Sequence, residues 1–542
     1  MTKLKLQTLP SLLENSFGLY SDNKALSYVN QEPNTYKNLQ VEISNTIALL
    51  KAQNINKGDK VAILSRNMPN WGIAFFAITS IGAVAVPLLP DFHENEIKNI
   101  IEHSETKSIF ISKLMYPKIE NFTSLLDSII IVDEFEILKA SSSNNAVTNQ
   151  ELSEIQEDDL ASIIYTSGTT GKSKGVMLTH KNIVFDAIQV LSIEHVKSHH
   201  RFLSILPLSH TYENTLGLVI PILQGASVYY LEKPPTPNAL IPAMQKVEPT
   251  HILSVPMVIE KIYRNKVLPT FTKSKVLSAL YKIPVIRKIL NRLAGKKLYE
   301  TFGGKLEFFG IGGAALDPVV EKFLREAKFP YAIGYGLTES APLLSGANAS
   351  TVKYRAIGPI MKGIEVKINN PDPKTGEGEV WAKGDNIMKG YYKEPELTKE
   401  AITLDGWLKT GDLGYFDKDN FLFLKGRIKN MIVGSSGENI YPEEIESVIN
   451  NFKYVLESVV VQQKGKLIAL VHFNTEELEK QFQYLKEEAV TFAKNKSEEL
   501  MIELQEYVNS RVNKFSRIYA VVPQIIPFEK TATQKIKRYL YY

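Results

Sequence analysis

Eleven residues, Tyr165-Thr166-Ser167-Gly168-Thr169-Thr170-Gly171-Lys172-Ser173-Lys174-Gly175, gather hydroxyls, glycines and lysines behind an apolar run. Glycine lets backbone N–H groups approach a ligand closely, and the hydroxyl and ammonium groups add further donors. That set suits the oxygens of a polyphosphate. A loop of the G-x-x-x-x-G-K-S/T type is excluded, because only Thr169 and Thr170 separate Gly168 from Gly171. A second run, Gly334-Tyr335-Gly336-Leu337-Thr338-Glu339, offers a ring to lie against a base. It also offers a carboxylate for a cation that phosphates hold as well. Asp412 follows Thr410-Gly411, where turn chemistry is the ordinary reading of a lone Asp. Two further segments carry cations: Gly426-Arg427-Ile428-Lys429, and the tail from Lys530 through Lys535 to Arg538.

These side chains need a frame to bring them together. Apolar runs at 60–64, 108–111, 128–132, 161–165, 202–206 and 251–255 alternate with helical patterns, which predicts an α/β architecture with largely parallel sheets. The uncharged stretch from Asn67 to Pro90 reads as a helix over 71–81 and a buried strand over 83–89, since Gly82 and Pro87 interrupt it. After about residue 360 the runs at 363–368, 378–383 and 421–425 shorten and alternate, as antiparallel strands do. Beyond Gly426 we expect a helix from Pro442, strands at 458–462 and 467–471, and a long charged helix over 475–504. The expected domains are 1–426 and 427–542.

Composition narrows the chemistry. The 542 residues exceed what one hydrophobic core supports. A net charge of +4 is too small for nucleic-acid binding by bulk electrostatics. The absence of cysteine excludes disulfides, iron–sulfur clusters, thiolate nucleophiles and Cys-ligated zinc, and fits a reducing cytosol. Between Lys261 and Lys305 lie twelve Lys or Arg and one acid, Glu300. Within that stretch Ile286, Ile289, Leu290 and Leu293 fall at helical spacing, with Arg287, Lys288, Arg292, Lys296 and Lys297 mostly on other faces. Two readings stand: a solvated helix capping a subdomain, or a basic amphipathic surface facing anionic lipid.

In this order the segments YTSGTTG-x-x-KG, YG-x-TE, TGD, GR-x-K with GE-x-I-x-P-x-E, and the terminal T-x-T-x-KI-x-R closely resemble the adenylate-forming superfamily of acyl-CoA synthetases, luciferases and adenylation domains. The stretches Leu206-Pro207-Leu208-Ser209-His210-Thr211-Tyr212-Glu213, Val255-Pro256-Met257 and Gly312-Gly313-Ala314-Ala315 are most similar to the long-chain fatty acyl-CoA synthetases within it. Ser173 and Gln534 depart from the pattern without removing a charge.

The resemblance implies a large N-terminal domain of stacked α/β sheets with a β-rich subdomain, and a small mobile α+β C-terminal domain. It implies ATP, Mg²⁺ and coenzyme A, and two half-reactions: acyl-adenylate with pyrophosphate release, then acyl-CoA with release of AMP. Carried over residue by residue, Thr166, Ser167, Gly168, Thr169, Thr170, Gly171 and Lys172 would hold phosphates. Gly313, Ala314, Ala315, Tyr335, Gly336, Leu337, Thr338, Asp412 and Arg427 would complete the ATP site. Thr166 and Glu339 would face the metal. Lys535, Lys174 and His210 form the implied catalytic set. His210 and Tyr212 would lie at the acyl channel, Lys429 at a hinge, and Gly437 and Glu438 on the coenzyme A side. The expected protein is cytoplasmic, with a peripheral contact at the inner face of the membrane through the stretch from Lys261 to Lys305 as the second of the two readings above, and with oligomeric state open. The alternatives are an acyl-AMP ligase loading a carrier protein in trans, or a CoA ligase for a medium-chain or aryl acid. The chain ends seven residues after Lys535, so no fused carrier domain is expected.

Overall fold

Helix Pro69–Ser80 is apolar on every side, and every residue from Trp71 to Thr79 is buried. A helix of this kind has no solvent face and must lie inside. In a computed structural model of the chain it lies between two sheets, in one core that joins Val61, Ile63 and Ala85 of the first to Val228 and Tyr230 of the second. The structure describes residues 4–141, 154–167, 173–434, 438–474, 489–531 and 535–542.

The first sheet has eight strands. Its parallel centre runs through Leu160–Ser167, Val84–Leu88, Lys60–Leu64, Thr106–Ile111 and Ser128–Ile131. Antiparallel partners close it: Glu136–Lys139 at one edge, and Ser173–Thr179 followed by Gly390–Tyr391 at the other. The second sheet has seven strands, in the order Leu26–Tyr28, Ser227–Tyr230, Arg201–Ser204, His251–Ser254, Phe308–Ile311, Tyr331–Gly336 and Leu343–Gly346. Only its last pair is antiparallel. The alternation of strand and helix expected from the sequence is therefore found in two stacked sheets.

After residue 360 the pattern changes as expected. Ile364–Asn369, Gly378–Gly384, Leu408–Phe416 and Leu422–Arg427 form an antiparallel four-stranded sheet. The chain leaves this ladder at Arg427 and passes through a short turn of helix, Ile428–Asn430. A C-terminal domain follows. Helix Pro442–Ile449 and helix Ala489–Asn509 cover a three-stranded sheet of Val455–Gln463, Lys466–Phe473 and Ala520–Gln524. The expected long helix thus ends at Asn509, five residues later than its pattern indicated, and the part of the expectation over 475–488 lies outside the described residues.

Helix Pro284–Thr301 also differs from its sequence reading. Of the four apolar residues at helical spacing, Ile286 and Leu290 are half-buried whereas Ile289 and Leu293 are exposed. Arg287 is not on a solvated face: its guanidinium pairs with Glu326 at 2.9 Å. Among the described residues no helix is long and apolar enough to cross a membrane.

Candidate active site

Strands Leu160–Ser167 and Ser173–Thr179 form a hairpin that places Thr166 opposite Lys174. Residues 168–172 join them, so the expectations for Gly168, Thr169, Thr170, Gly171 and Lys172 lie outside the described residues, as does that for Gly437. For Ser167 the backbone alone is described, as the last residue of its strand.

Lys174 sits with Nζ 5.0 Å from the ring centroid of Tyr391. Tyr391 reaches that place because Gly390–Tyr391 adds to the sheet edge opposite Met177 and Val176. Its phenol oxygen donates to Oε1 of Glu339 at 2.8 Å. Burial first, and then the Glu339 carboxylate, hold this phenol well above its ordinary range. One ring therefore joins the lysine of the polyphosphate loop to the carboxylate expected at a metal.

Glu339 lies in the short turn Thr338–Ser340 behind strand Tyr331–Gly336. The turn is braced from below. Asn386 donates to the carbonyl oxygens of Ser340 and Leu343, each at 2.8 Å. Buried Asp186 accepts from the Leu343 N–H at 3.1 Å. The Leu337 N–H donates to the Pro342 carbonyl at 3.0 Å. Gly336 is dictated by contact: a Cβ there would lie 1.8 Å from that same Pro342 oxygen.

Asp412 and Arg427 are partners across the ladder of Leu408–Phe416 and Leu422–Arg427. The Arg427 Nε lies 2.7 Å from Asp412 Oδ1, and the Tyr335 hydroxyl donates to Oδ2 at 2.7 Å. Burial pushes the Asp412 carboxyl up, and Arg427 opposes that. Each carboxylate oxygen can accept more than one donor, so these contacts leave capacity for a ligand hydroxyl. The Tyr335 ring itself is buried at 8% exposure. Gly313, Ala314 and Ala315 are exposed beyond strand Phe308–Ile311.

Lys535, far along the chain, arrives at this same place. Lys535 is exposed at the surface, and its ammonium lies within electrostatic range of Arg427, Asp412, Glu339 and His210. Desolvation and then Arg427 lower its proton affinity, against Asp412 and Glu339. Burial and then Lys535 push His210 down to about 4, so its imidazole is neutral at pH 7. The tail carrying Lys535 is held by ion pairs of Arg538 with Glu446 and of Lys530 with Glu457. The loop carrying His210 is held by Asn67, whose amide donates to the Leu206 carbonyl at 2.6 Å and accepts from the Leu208 N–H at 2.9 Å. Tyr212 packs beside Gly310 and Gly312.

Residues 13–392 match the family described as AMP-binding enzyme. The chain belongs to that family. Among its relatives, 4-coumarate–CoA ligase 2 of Nicotiana tabacum is 29% identical over 464 residues, covering 81% of this chain and 78% of the relative. The chloroplastic long-chain-fatty-acid–acyl-carrier-protein ligase AEE15 of Arabidopsis thaliana is 27% identical over 571 residues, covering 88% and 77%. The fold is similar to that of O-succinylbenzoate coenzyme A synthetase of Bacillus subtilis in complex with ATP and magnesium ion. The TM-score is 0.76 at 24% identity, over 97% of this chain and 98% of that chain.

In this AMP-binding enzyme, then, Thr166 and Lys174 share one hairpin, Tyr391 joins Lys174 to Glu339, Asp412 joins Tyr335 to Arg427, and Lys535 lies within electrostatic range of Asp412, Arg427, Glu339 and His210. Two expected residues stand apart from it. Lys429 is exposed in the turn Ile428–Asn430, and Glu438 is half-buried beside the hairpin of Ile432–Val433 and Asn439–Ile440. Sequence patterning passed over Tyr391, Asn386 and Asp186. They become visible only through a sheet-edge pairing and a turn brace between segments about two hundred residues apart, as in Asp186 and Asn386.

Proposed function

We propose that the protein is a long-chain fatty acid–CoA ligase that forms acyl-adenylate and then acyl-CoA. The observation that carries this reading is the joined set of Tyr335, Asp412 and Arg427 beside Glu339, Tyr391 and Lys174, with Lys535 in electrostatic range of it. That arrangement suits an anion-on-anion displacement, in which positive charge must neutralise both reactants and hold attack in line. In the first half-reaction a carboxylate oxygen attacks the α-phosphorus of ATP and pyrophosphate leaves. In the second the thiol of coenzyme A attacks the acyl carbonyl, loses its proton, and AMP leaves.

Each residue has a part in this reading. Lys535 bridges the attacking carboxylate and the α-phosphate. Lys174, steadied by the Tyr391 ring, meets the outer phosphates together with the hairpin loop. Asp412, aligned by Tyr335 and Arg427, accepts from the ribose hydroxyls. Tyr335, with Gly313 to Ala315, flanks the base. Neutral His210 and Tyr212 line the entry of the acyl chain. Glu339 fits Mg²⁺ as a hard oxygen donor whose second oxygen is left clear by the Tyr391 contact, and the Thr166 hydroxyl would be a second oxygen ligand. Bound there, the metal would supply charge neutralisation for the phosphates.

We further assign 1–426 and 427–542 as the two domains, with rotation about Lys429 withdrawing Lys535 and presenting Gly437 and Glu438 to the pantetheine arm. The long-chain acid is favoured by the stretch from Leu206 to Glu213 and by the Arabidopsis relative's printed substrate. Coenzyme A is favoured by the tobacco relative's. The test is a panel of C2 to C18 and aryl acids, scored by pyrophosphate release and then by AMP formation with coenzyme A or with an acyl-carrier protein. Strongest turnover on long-chain acids with coenzyme A is expected. Preference for an aryl acid, or for the carrier protein, overturns the corresponding part.

A further inference from the structure

Helix Pro284–Thr301 carries apolar residues on more than its inner side. Its inner face carries Asn291, Gly295 and Leu298, the buried residues of the helix. That face packs Leu298, with half-buried Leu290, Ala294 and Tyr299, against the core and adds polar contacts and a close approach. Asn291 and Arg287 both donate to Glu326. At Gly295 a Cβ would lie 2.5 Å from the Cβ of Ala327, so only glycine allows the helix to sit this close to helix Pro318–Ala327. The outer face is apolar as well. Val285, Ile289 and Leu293 follow one another at four-residue intervals and are 69%, 56% and 63% exposed. Helix Lys275–Tyr281, packed beside it, repeats the pattern with Val276, Leu280 and then Ile283.

Single exposed aliphatic residues are ordinary, but two adjoining stripes of them on neighbouring helices are a surface for an apolar partner. Cations frame the stripes. Lys288, Arg292 and Lys296 flank the stripe on helix Pro284–Thr301, and Lys273, Lys275 and Lys282 that on helix Lys275–Tyr281. Among the described residues of this stretch, Arg264 and Arg287 take part in ion pairs, with Asp317 and Glu326. The six framing cations are in none. At the side of the face an open hollow of about 250 Å³ is lined by Lys288, Arg292, Arg325, Lys328 and Glu326. The Glu326 carboxylate is already engaged by Arg287 and Asn291, which leaves the hollow cationic.

We propose that this face docks on a membrane surface containing anionic lipid, with the aliphatic stripes entering the acyl boundary and the cations meeting the headgroups. The combination selects the occupant. A second copy of the chain would set the same cations against each other across a symmetric interface. A free phosphate would satisfy the hollow but leave the stripes in water. An anionic bilayer meets both. The inference is independent of the acid that the enzyme activates.

The experiment is sedimentation with vesicles of phosphatidylcholine alone or mixed with phosphatidylglycerol, at low and high salt and with inorganic phosphate as competitor. The full chain is expected to pellet with the anionic vesicles at low salt, to be released by high salt, and to stay in solution with the neutral ones. Phosphate at matched ionic strength should add nothing. Two variants separate the contributions: Lys288→Glu with Arg292→Glu and Lys296→Glu, and Val285→Ser with Ile289→Ser and Leu293→Ser. Each should weaken vesicle binding by more than about tenfold, with the thermal transition and pyrophosphate release on a water-soluble acid unchanged. Failure of the wild-type protein to pellet overturns the proposal. So does an apolar variant that binds as well as wild type, since a purely electrostatic face would serve an acidic protein equally. Dimerisation in solution that Ile289→Ser abolishes would assign the face to a second copy and overturn it too.

Discussion

The Tyr391 hydroxyl donates to Glu339 at 2.8 Å while its ring lies 5.0 Å beneath the Lys174 ammonium. One side chain thus orders two groups of opposite charge that the proposed function brings to the same triphosphate. Tyr391→Phe keeps the ring and removes the donor. We expect a higher Mg²⁺ requirement and a loss of about 1 kcal/mol in kcat/KM for pyrophosphate release, the worth of one hydrogen bond. Tyr391→Leu should lose more, because the cation–ring contact goes as well. A Mg²⁺ titration identical in Tyr391→Phe and wild type would show that Glu339 needs no orienting.

Lys535 lies within electrostatic range of Asp412, Arg427 and Glu339, and its tail is anchored at Arg538 and Lys530. Lys535→Ala should lower adenylation from acid and ATP by roughly two to three orders of magnitude, the loss seen when one preorganised transition-state donor is removed. Conversion of presynthesised acyl-adenylate to acyl-CoA should be spared. Equal loss in both half-reactions would sink the rotation about Lys429.

Two substitutions at Tyr335 separate its roles. Tyr335→Phe removes the donor to Asp412 and should cost about 1 kcal/mol of ATP affinity. Tyr335→Ala also removes the ring and should cost roughly 1–3 kcal/mol more if the ring flanks the base. Isothermal titration with ATP distinguishes them. Equal losses in the two variants would confine Tyr335 to aligning Asp412.

Residue types were legible in the sequence further than residue partnerships. The run around Thr166 is legible as phosphate chemistry, whereas Asp412 and Arg427 gain a role only through the family resemblance. That Asp412 pairs with Arg427 depends on cross-strand register, and that Tyr335 reaches Asp412 depends on how two sheets meet. Neither is encoded in local spacing. Tyr391 was missed because its strand is two residues long, too short for any period to appear. For helix Pro284–Thr301 two readings stay open in the sequence, because spacing marks its apolar residues but not the Glu326 network and the Gly295 contact that help to seat it.

Glu213 yields a prediction about pH. Its carboxyl is buried in the helical segment Tyr212–Val219, accepts from the Ser204 hydroxyl at 2.6 Å, and has its second oxygen without a partner. Desolvation pushes it from its ordinary value of 4.5 up to about 8, against the Ser204 hydrogen bond. Below the ordinary value, folded and unfolded chains both carry this proton, and its contribution to stability is constant and complete. Between that value and about 8 the unfolded chain releases the proton while the folded chain keeps it, so stability falls as pH rises, at most by about 1.4 kcal/mol per unit. Above about 8 the folded carboxyl ionises and the contribution is gone. Glu213→Gln mimics the protonated form and cannot titrate. Urea unfolding of both proteins at a series of pH values should give similar stabilities at the acid end. The variant's advantage should widen towards pH 8. Parallel stability curves across this range would mean that Glu213 is ionised in the folded protein and that its burial is compensated by charge.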